Sequence, residues 1–124
     1  MFTKPKEQIG HFFEDLAVDF LKIEGFEILC TRFRCKSGEI DIIARKNDIL
    51  SFIEVKSRKS GSLIEPVDTI DHRKITRIKK TSQYFLKKNP NLNSFQIRFD
   101  LFIFVFNEND MRIKKKEYLT DFFR

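Results

Sequence analysis

The chain has 124 residues, 24 of them Lys or Arg against 18 Asp or Glu, for a net charge of +6. With 41% apolar residues, fifteen of them phenylalanine, it has material for one domain with a modest packed core, which argues against intrinsic disorder. The basic balance favours an acidic partner such as nucleic acid. No apolar run reaches the roughly 18 to 20 residues of a membrane span, and "MFTKPKEQIGHFFEDL" is acidic where a signal peptide would be apolar, so a soluble, cytoplasmic protein is expected.

The elements read in chain order as α-β-β-β-α-β, closed by one further strand. From Gly10 to Glu24, Phe13, Leu16, Ala17, Phe20 and Leu21 recur at the spacing of one helix face, with Gly25 as the stop. Gly10 lies within that stripe and is expected to permit close approach of the helix. "FEILCTRFRC" reads as a strand, and "EIDIIARK" as a second. After an Asn47-Asp48 turn, "ILSFIEVKSR" reads as a third, giving an antiparallel meander. Cys30 and Cys35 share one strand without a CxxC spacing or a nearby histidine and read as ordinary thiols. "SGSLIEPV" reads as a mobile loop able to contact ligands.

Asp68 and Asp71 are both placed to cap a second helix running to about Lys88, where Asn89-Pro90 ends it, with Ile75, Ile78, Phe85 and Leu86 as its buried stripe. "FQIRFDLFIFVF" is apolar on both faces beyond Asp100, as expected of a central strand. The lysine-rich "RIKKKEYL" suits an edge.

Charged residues interrupt the two strands that should be mostly apolar. Glu39 and Asp41 fall on one face of the second strand by alternation, and Phe52, Glu54 and Lys56 on one face of the third. In a hairpin turning at Asn47-Asp48, residue numbers summing to about 95 lie opposite each other, setting Asp41 across from Glu54. Two half-buried carboxylates repel by several kcal/mol at an effective dielectric of about 20, so a cation must compensate. Lys56 supplies one charge and a divalent metal two more. Ile40, Ile42, Ile53 and Val55 mark the opposite face as buried. A structural ion cluster on an exposed sheet face is the bland alternative, and against it Ile43 and Phe52 make the charged face partly apolar, as if a helix covered it.

Asp41, twelve intervening residues and Glu54-Val55-Lys56 look like the PD-(D/E)xK signature, with "GEID" in the position of the PD element. The longer run "GHFFEDLAVDFLKIEGFEIL", "FRCKSGEIDIIA", "SFIEVKSR", a lysine-bearing helix and "IRFDLFIF" resembles the YraN-like family of predicted nucleases, themselves similar to archaeal Holliday junction resolvases. The chain departs from the family's pattern at Phe13, where a glycine is usual, at Arg32, where asparagine is common, and at Ser82, where alanine is usual.

This resemblance implies a restriction-endonuclease-like mixed β-sheet flanked by helices. It implies a metal-dependent endonuclease that cuts branched or distorted duplex DNA, leaves room for a homodimer, and involves no membrane. It also brings in Glu14, the family's helix-one carboxylate, which at about 100° per residue falls at the edge of the apolar stripe. Asp41 and Glu54, helped by Glu14 and the Val55 carbonyl, would hold Mg²⁺ or Mn²⁺, with Lys56 managing the attacking water. Arg73, Arg77, Lys80, Lys87 and Lys88 gather opposite the apolar stripe of the second helix, with Tyr84 among them. With Lys74, which matches the family's helix lysine, and Arg58 of the third strand, Arg73, Arg77 and Lys80 are the candidate DNA contacts. Arg98 and Asp100 match the family's "RFD" segment, Asp100 reading as structural. His11 and His72 lack convincing partners. A non-catalytic nucleic-acid-binding or accessory protein that keeps the fold stays open as the second reading.

Overall fold

The first helix, α1 (Lys6–Ile23), begins a turn earlier than the apolar periodicity suggests and buries Phe13, Ala17 and Leu21, four residues apart on one stripe. The computed structural model describes residues 6–63, 65 and 70–122. Gly25 ends α1 at φ +94°, where its N–H bonds the Lys22 carbonyl at 3.0 Å and the Phe26 N–H bonds the Leu21 carbonyl at 2.9 Å. That pair of bonds is a Schellman closure, and it satisfies carbonyls the helix end would leave orphaned. A Cβ placed on Gly10 would meet nothing within 4 Å, so the expectation that glycine there permits close approach is corrected.

Five strands follow the expected order: β1 (Glu27–Cys35), β2 (Gly38–Lys46), β3 (Ile49–Lys59), then, after α2 (His72–Lys88) and a 3-10 turn at Pro90–Leu92, β4 (Gln96–Phe106) and β5 (Ile113–Leu119). They form one mixed α/β sheet in the order β1-β2-β3-β4-β5, antiparallel except for the parallel β3–β4 pair. A parallel neighbour needs a crossover, and α2 lies in the one that joins β3 to β4. The expected edge strand is β5, and the buried β4 is an interior strand beside it, with β3 rather than β4 in the middle of the sheet. Asp71 caps α2, its side chain accepting the Lys74 N–H at 3.0 Å, while Asp68 lies outside the described residues. The same holds for residues 64, 66 and 67 of the expected loop.

One core lies under α1, where Phe13, Ala17 and Leu21 meet Ile42, Ala44, Ile53, Phe102, Phe104 and Phe106. The other lies under α2, where Ile78 and Phe85 meet Ile40, Ile43, Leu50 and Phe52. Ile40 and Ile42 therefore face opposite layers, although two residues apart they should share a face. That corrects the reading of Ile40 as part of the Ile42 side. Arg32, in the part of β1 that runs against this stretch of β2, takes φ +53°, a left-handed conformation uncommon for a non-glycine residue. Among the described residues, no helix is long and apolar enough to cross a membrane.

Candidate active site and nucleic-acid face

The β2–β3 hairpin has the register expected from its Asn47-Asp48 turn, pairing Lys46 with Ile49 and Ile42 with Ile53. Asn47 accepts φ +56°, which its short polar side chain tolerates better than most. Beyond Ile42 and Ile53 the two strands part. β2 goes on against β1 as far as the Cys35–Gly38 pair, while β3 goes on against β4 as far as Lys59–Phe106.

Asp41 and Glu54 sit at the mouth of this fork. Strand separation leaves backbone donors without a ladder partner, and the Asp41 carboxylate supplies one, its Oδ2 accepting the Val55 N–H at 2.8 Å. The cleft at the fork has a volume of about 420 Å³. Glu14 reaches it from α1, Asp41, Glu54, Val55 and Lys56 from the strands, and Lys74 and Arg77 from α2. Gly38 also lines it, and a Cβ there would stand 3.2 Å from the Thr81 hydroxyl, so a glycine lets β2 enter the cleft against α2.

Burial dominates the electrostatics of the cleft, disfavouring the charged forms of its carboxylates and of Lys56 alike. Glu54 is 5% exposed and its Oε1 has no hydrogen-bond partner. Burial, then repulsion from Asp41, pushes its carboxyl up to about 8. Asp41 is also raised, chiefly by burial, although the Val55 N–H and Lys56 pull the other way. Lys56 is pushed down by burial and by the neighbouring Lys74. Glu14 is raised to about 7 by burial and by Asp41.

Glu14 does not join Asp41 and Glu54 in a ready ligand set. Arg32 of β1 donates from Nε to its Oε1 at 2.8 Å and from Nη2 to Asp15 at 2.9 Å, with a further bond to the His11 carbonyl at 3.2 Å. Among the described residues no three His, Cys, Asp or Glu side chains gather closely enough to hold an ion, which corrects the expectation of three converging carboxylates. The residues present still fit a hard divalent cation. An orphaned buried carboxylate oxygen, a second carboxylate with one oxygen engaged, and a nearby backbone carbonyl are oxygen donors of the kind Mg²⁺ and Mn²⁺ take.

On α2, Arg73, Arg77, Lys80, Tyr84, Lys87 and Lys88 are exposed and Lys74 is half-buried. None of these cations makes an ion pair among the described residues, and Lys88 lies over the Tyr84 ring at 5.5 Å. Capping by Asp71 fixes Lys74 at the third position of the helix, and Lys74 and Arg77 then carry the basic face into the cleft. Arg58 is engaged elsewhere, with Glu65 at 3.2 Å and the Ser62 carbonyl at 3.1 Å. Asp100, fully buried, accepts Arg98 Nε at 2.9 and 3.1 Å, the Asp121 N–H at 2.8 Å and the Tyr118 hydroxyl. It is therefore structural. Sequence reasoning did not identify the Arg32 clamp, whose only trace was the arginine itself.

Residues 13–104 match the uncharacterised protein family UPF0102. A UPF0102 protein of Caldicellulosiruptor bescii is 39% identical over 117 residues, covering 94% of this chain and 98% of that protein. One from Clostridium perfringens strain 13 is 42% identical over 121 residues, 98% of each. Another from Clostridium botulinum strain Hall is 44% identical over 101 residues, 82% of each. The chain belongs to the UPF0102 family.

Proposed function

We propose that this UPF0102 member is a restriction-endonuclease-like, metal-dependent endonuclease that hydrolyses DNA phosphodiester bonds, with preference for branched or distorted duplex. The observation that carries the reading is Glu54, buried with an unpartnered oxygen beside Asp41 and Lys56 in an open cleft. An unsatisfied buried charged group costs more than a neutral one, about 1 to 3 kcal/mol as a floor, and clustered, perturbed groups in a cleft mark working sites.

Asp41, Glu54 and the Val55 carbonyl would hold Mg²⁺ or Mn²⁺, joined by Glu14 once it leaves Arg32. Such an ion, when bound, supplies charge against the phosphate and acidifies water. Lys56, lowered by burial and by Lys74, orients the attacking water, and although a weaker base than an ordinary lysine it has more of its amine free to accept a proton. Its ammonium form stabilises the charge that builds on the phosphorane oxygens. The Val55 N–H holds the Asp41 carboxylate in place. Arg73, Arg77 and Lys80 would grip flanking phosphates, which fixes position without reading sequence.

One observation favours the second reading. Arg32 holds Glu14 away from Asp41 and Glu54, which fits a protein that binds nucleic acid without cutting it. Linear, flapped and four-way DNA incubated with Mg²⁺, Mn²⁺ or EDTA separates the two. The nuclease requires strand cleavage that EDTA abolishes and that favours the branched substrates. Tight, metal-independent binding with every strand intact would establish the accessory role instead.

A further inference from the structure

A cavity of about 440 Å³ opens on the α1 face of the sheet at the far end from the carboxylates, beneath the last turns of α1. Its strand β3 residue, Ile49, lies five positions before Glu54, roughly 17 Å along the strand, so the two openings are separate places. The volume falls in the range of small-molecule sites, about 300 to 1,000 Å³.

The lining has two chemistries. Phe20, Phe26 and Tyr118 supply aromatic surface above the buried Phe102, and Lys46, Lys116 and Arg98 supply positive charge against the single acid Glu24. Two of the cations already lean on rings. Lys116 Nζ stands 3.5 Å from the Phe20 centroid and Lys46 Nζ 5.5 Å from that of Phe26. Neither lysine has an ion-pair partner among the described residues.

Arg98 differs from the two lysines because its orientation is prepaid. The fully buried Asp100 takes its Nε with both carboxylate oxygens and is itself locked by Tyr118 and the Asp121 N–H, so the guanidinium is held in one orientation as it lines the cavity. A planar donor group fixed by a buried carboxylate loses little freedom on binding an oxyanion, and it matches phosphate geometry. Asn47 and Thr120 at the same opening add hydrogen-bonding groups beside the aromatic surface.

We propose that this cavity is a second binding site, for a nucleoside 5′-monophosphate unit, free or at the end of a nucleic-acid strand. The base lies against the aromatic rings and the phosphate meets Arg98, Lys46 and Lys116. Stacking of a base on aromatic side chains contributes about 1 to 3 kcal/mol per base, and charge-assisted bonds fix the phosphate. The site uses none of the residues of the carboxylate cleft, and it stands or falls independently of cleavage.

Calorimetry on the full chain in EDTA, with deoxyadenosine 5′-monophosphate, deoxyadenosine and inorganic phosphate as separate titrants, tests this. The monophosphate should bind at least about tenfold more tightly than either fragment, and Lys46→Ala/Lys116→Ala should weaken it at least about tenfold while Arg77→Ala leaves it unchanged. Amide shift changes in the wild-type NMR spectrum should centre on residues 46–49 and 116–120, which locates the site even if the double variant folds poorly. A 5′-phosphorylated single strand that binds more tightly than the free nucleotide identifies a strand end as the ligand, and equal binding identifies the free nucleotide. Phosphate or nucleoside binding as well as the monophosphate, shifts confined to the carboxylate cleft, or no binding at all would overturn the proposal.

Discussion

Replacing Glu54 with glutamine should stabilise the metal-free protein, and the effect should grow with pH. A carboxyl moved from 4.5 to about 8 binds a proton in the folded state across a window where the unfolded chain has released it. Folding stability therefore declines as pH rises from about 4.5 to about 8, by at most about 5 kcal/mol at the upper end. Glu14, raised to about 7, adds a decline of the same sign over the lower part of that window. Lys56, whose value is lowered, acts with the opposite sign below its ordinary 10.5 and offsets part of the loss at alkaline pH. Glutamine keeps the shape without the charge but brings a donor whose desolvation costs about 1 to 3 kcal/mol, so a net gain of about 2 kcal/mol at pH 8 is expected. For a domain of this size that is a rise in melting temperature of roughly 6 to 10 °C. Thermal unfolding in EDTA from pH 5 to 9 measures it, and saturating Mg²⁺ or Mn²⁺ should restore stability to the wild type but little to Glu54→Gln. A variant with the wild-type pH slope, or one less stable than wild type at pH 8, would refute the account of Glu54 as a buried charge that Lys56 and Lys74 compensate only in part.

Other outcomes follow from the same cleft. Arg32→Ala should raise the Glu14 carboxyl further above its ordinary value, because the guanidinium pulls it down, and carbon-detected NMR titration of the apo protein reads this directly. By freeing Glu14 it should also strengthen Mn²⁺ binding in calorimetry, and weaker binding would show that Arg32 supports the ligand set. Lys56→Ala should leave folding and DNA affinity close to wild type while slowing cleavage by at least roughly 10²-fold, and unchanged rates would remove Lys56 from the chemistry. Arg77→Ala with Lys80→Ala should lower the slope of log K against log salt by up to about 2 across all sequences, and an unchanged slope would mean the α2 face is merely solvated.

Much of this arrangement is legible from local pattern, because local pattern decides it. A two-residue turn at Asn47-Asp48 fixes which residues of β2 face those of β3, and alternation then brings Asp41 and Glu54 to the same end of the hairpin. The apolar stripe of α1, the cap at Asp71 and the run of aromatics in β4 are similarly short-range statements. What the pattern misses comes from contacts between distant segments. The parting of β2 from β3 depends on each finding another neighbour, β1 and β4, and no property of "GEID" announces it. Arg32 adopts a left-handed backbone that its residue type does not advertise, and beside it on β2 Ile40 goes to the α2 layer while Ile42 stays on the α1 side. The clamp on Glu14 joins positions eighteen residues apart and becomes visible only once α1 and β1 are packed.

The fork also explains why charged residues occupy strands that the core would prefer to be apolar. In the two pairs next to the fork, where β2 and β3 are still joined, backbone groups satisfy one another and the side chains are Ile42, Ile43, Phe52 and Ile53, all buried. Where the strands part, the freed Val55 N–H needs an acceptor, and a carboxylate can reach across the gap where an aliphatic side chain cannot. Asp41 is thus held by structure, and asparagine could make the same bond. Glu54 is different, because nothing among the described residues satisfies its buried Oε1. A protein selected for stability alone would lose that charge, since a neutral side chain of the same volume removes the repulsion at no cost in packing. The contrast gives Asp41→Asn and Glu54→Gln different signatures. The first should stabilise the metal-free protein only modestly as pH rises, because the Val55 N–H offsets part of the burial of Asp41, and the second clearly more, while both impair Mn²⁺ binding. Equal stability changes for the pair would mean the fork is a structural ion cluster and the divalent site lies elsewhere.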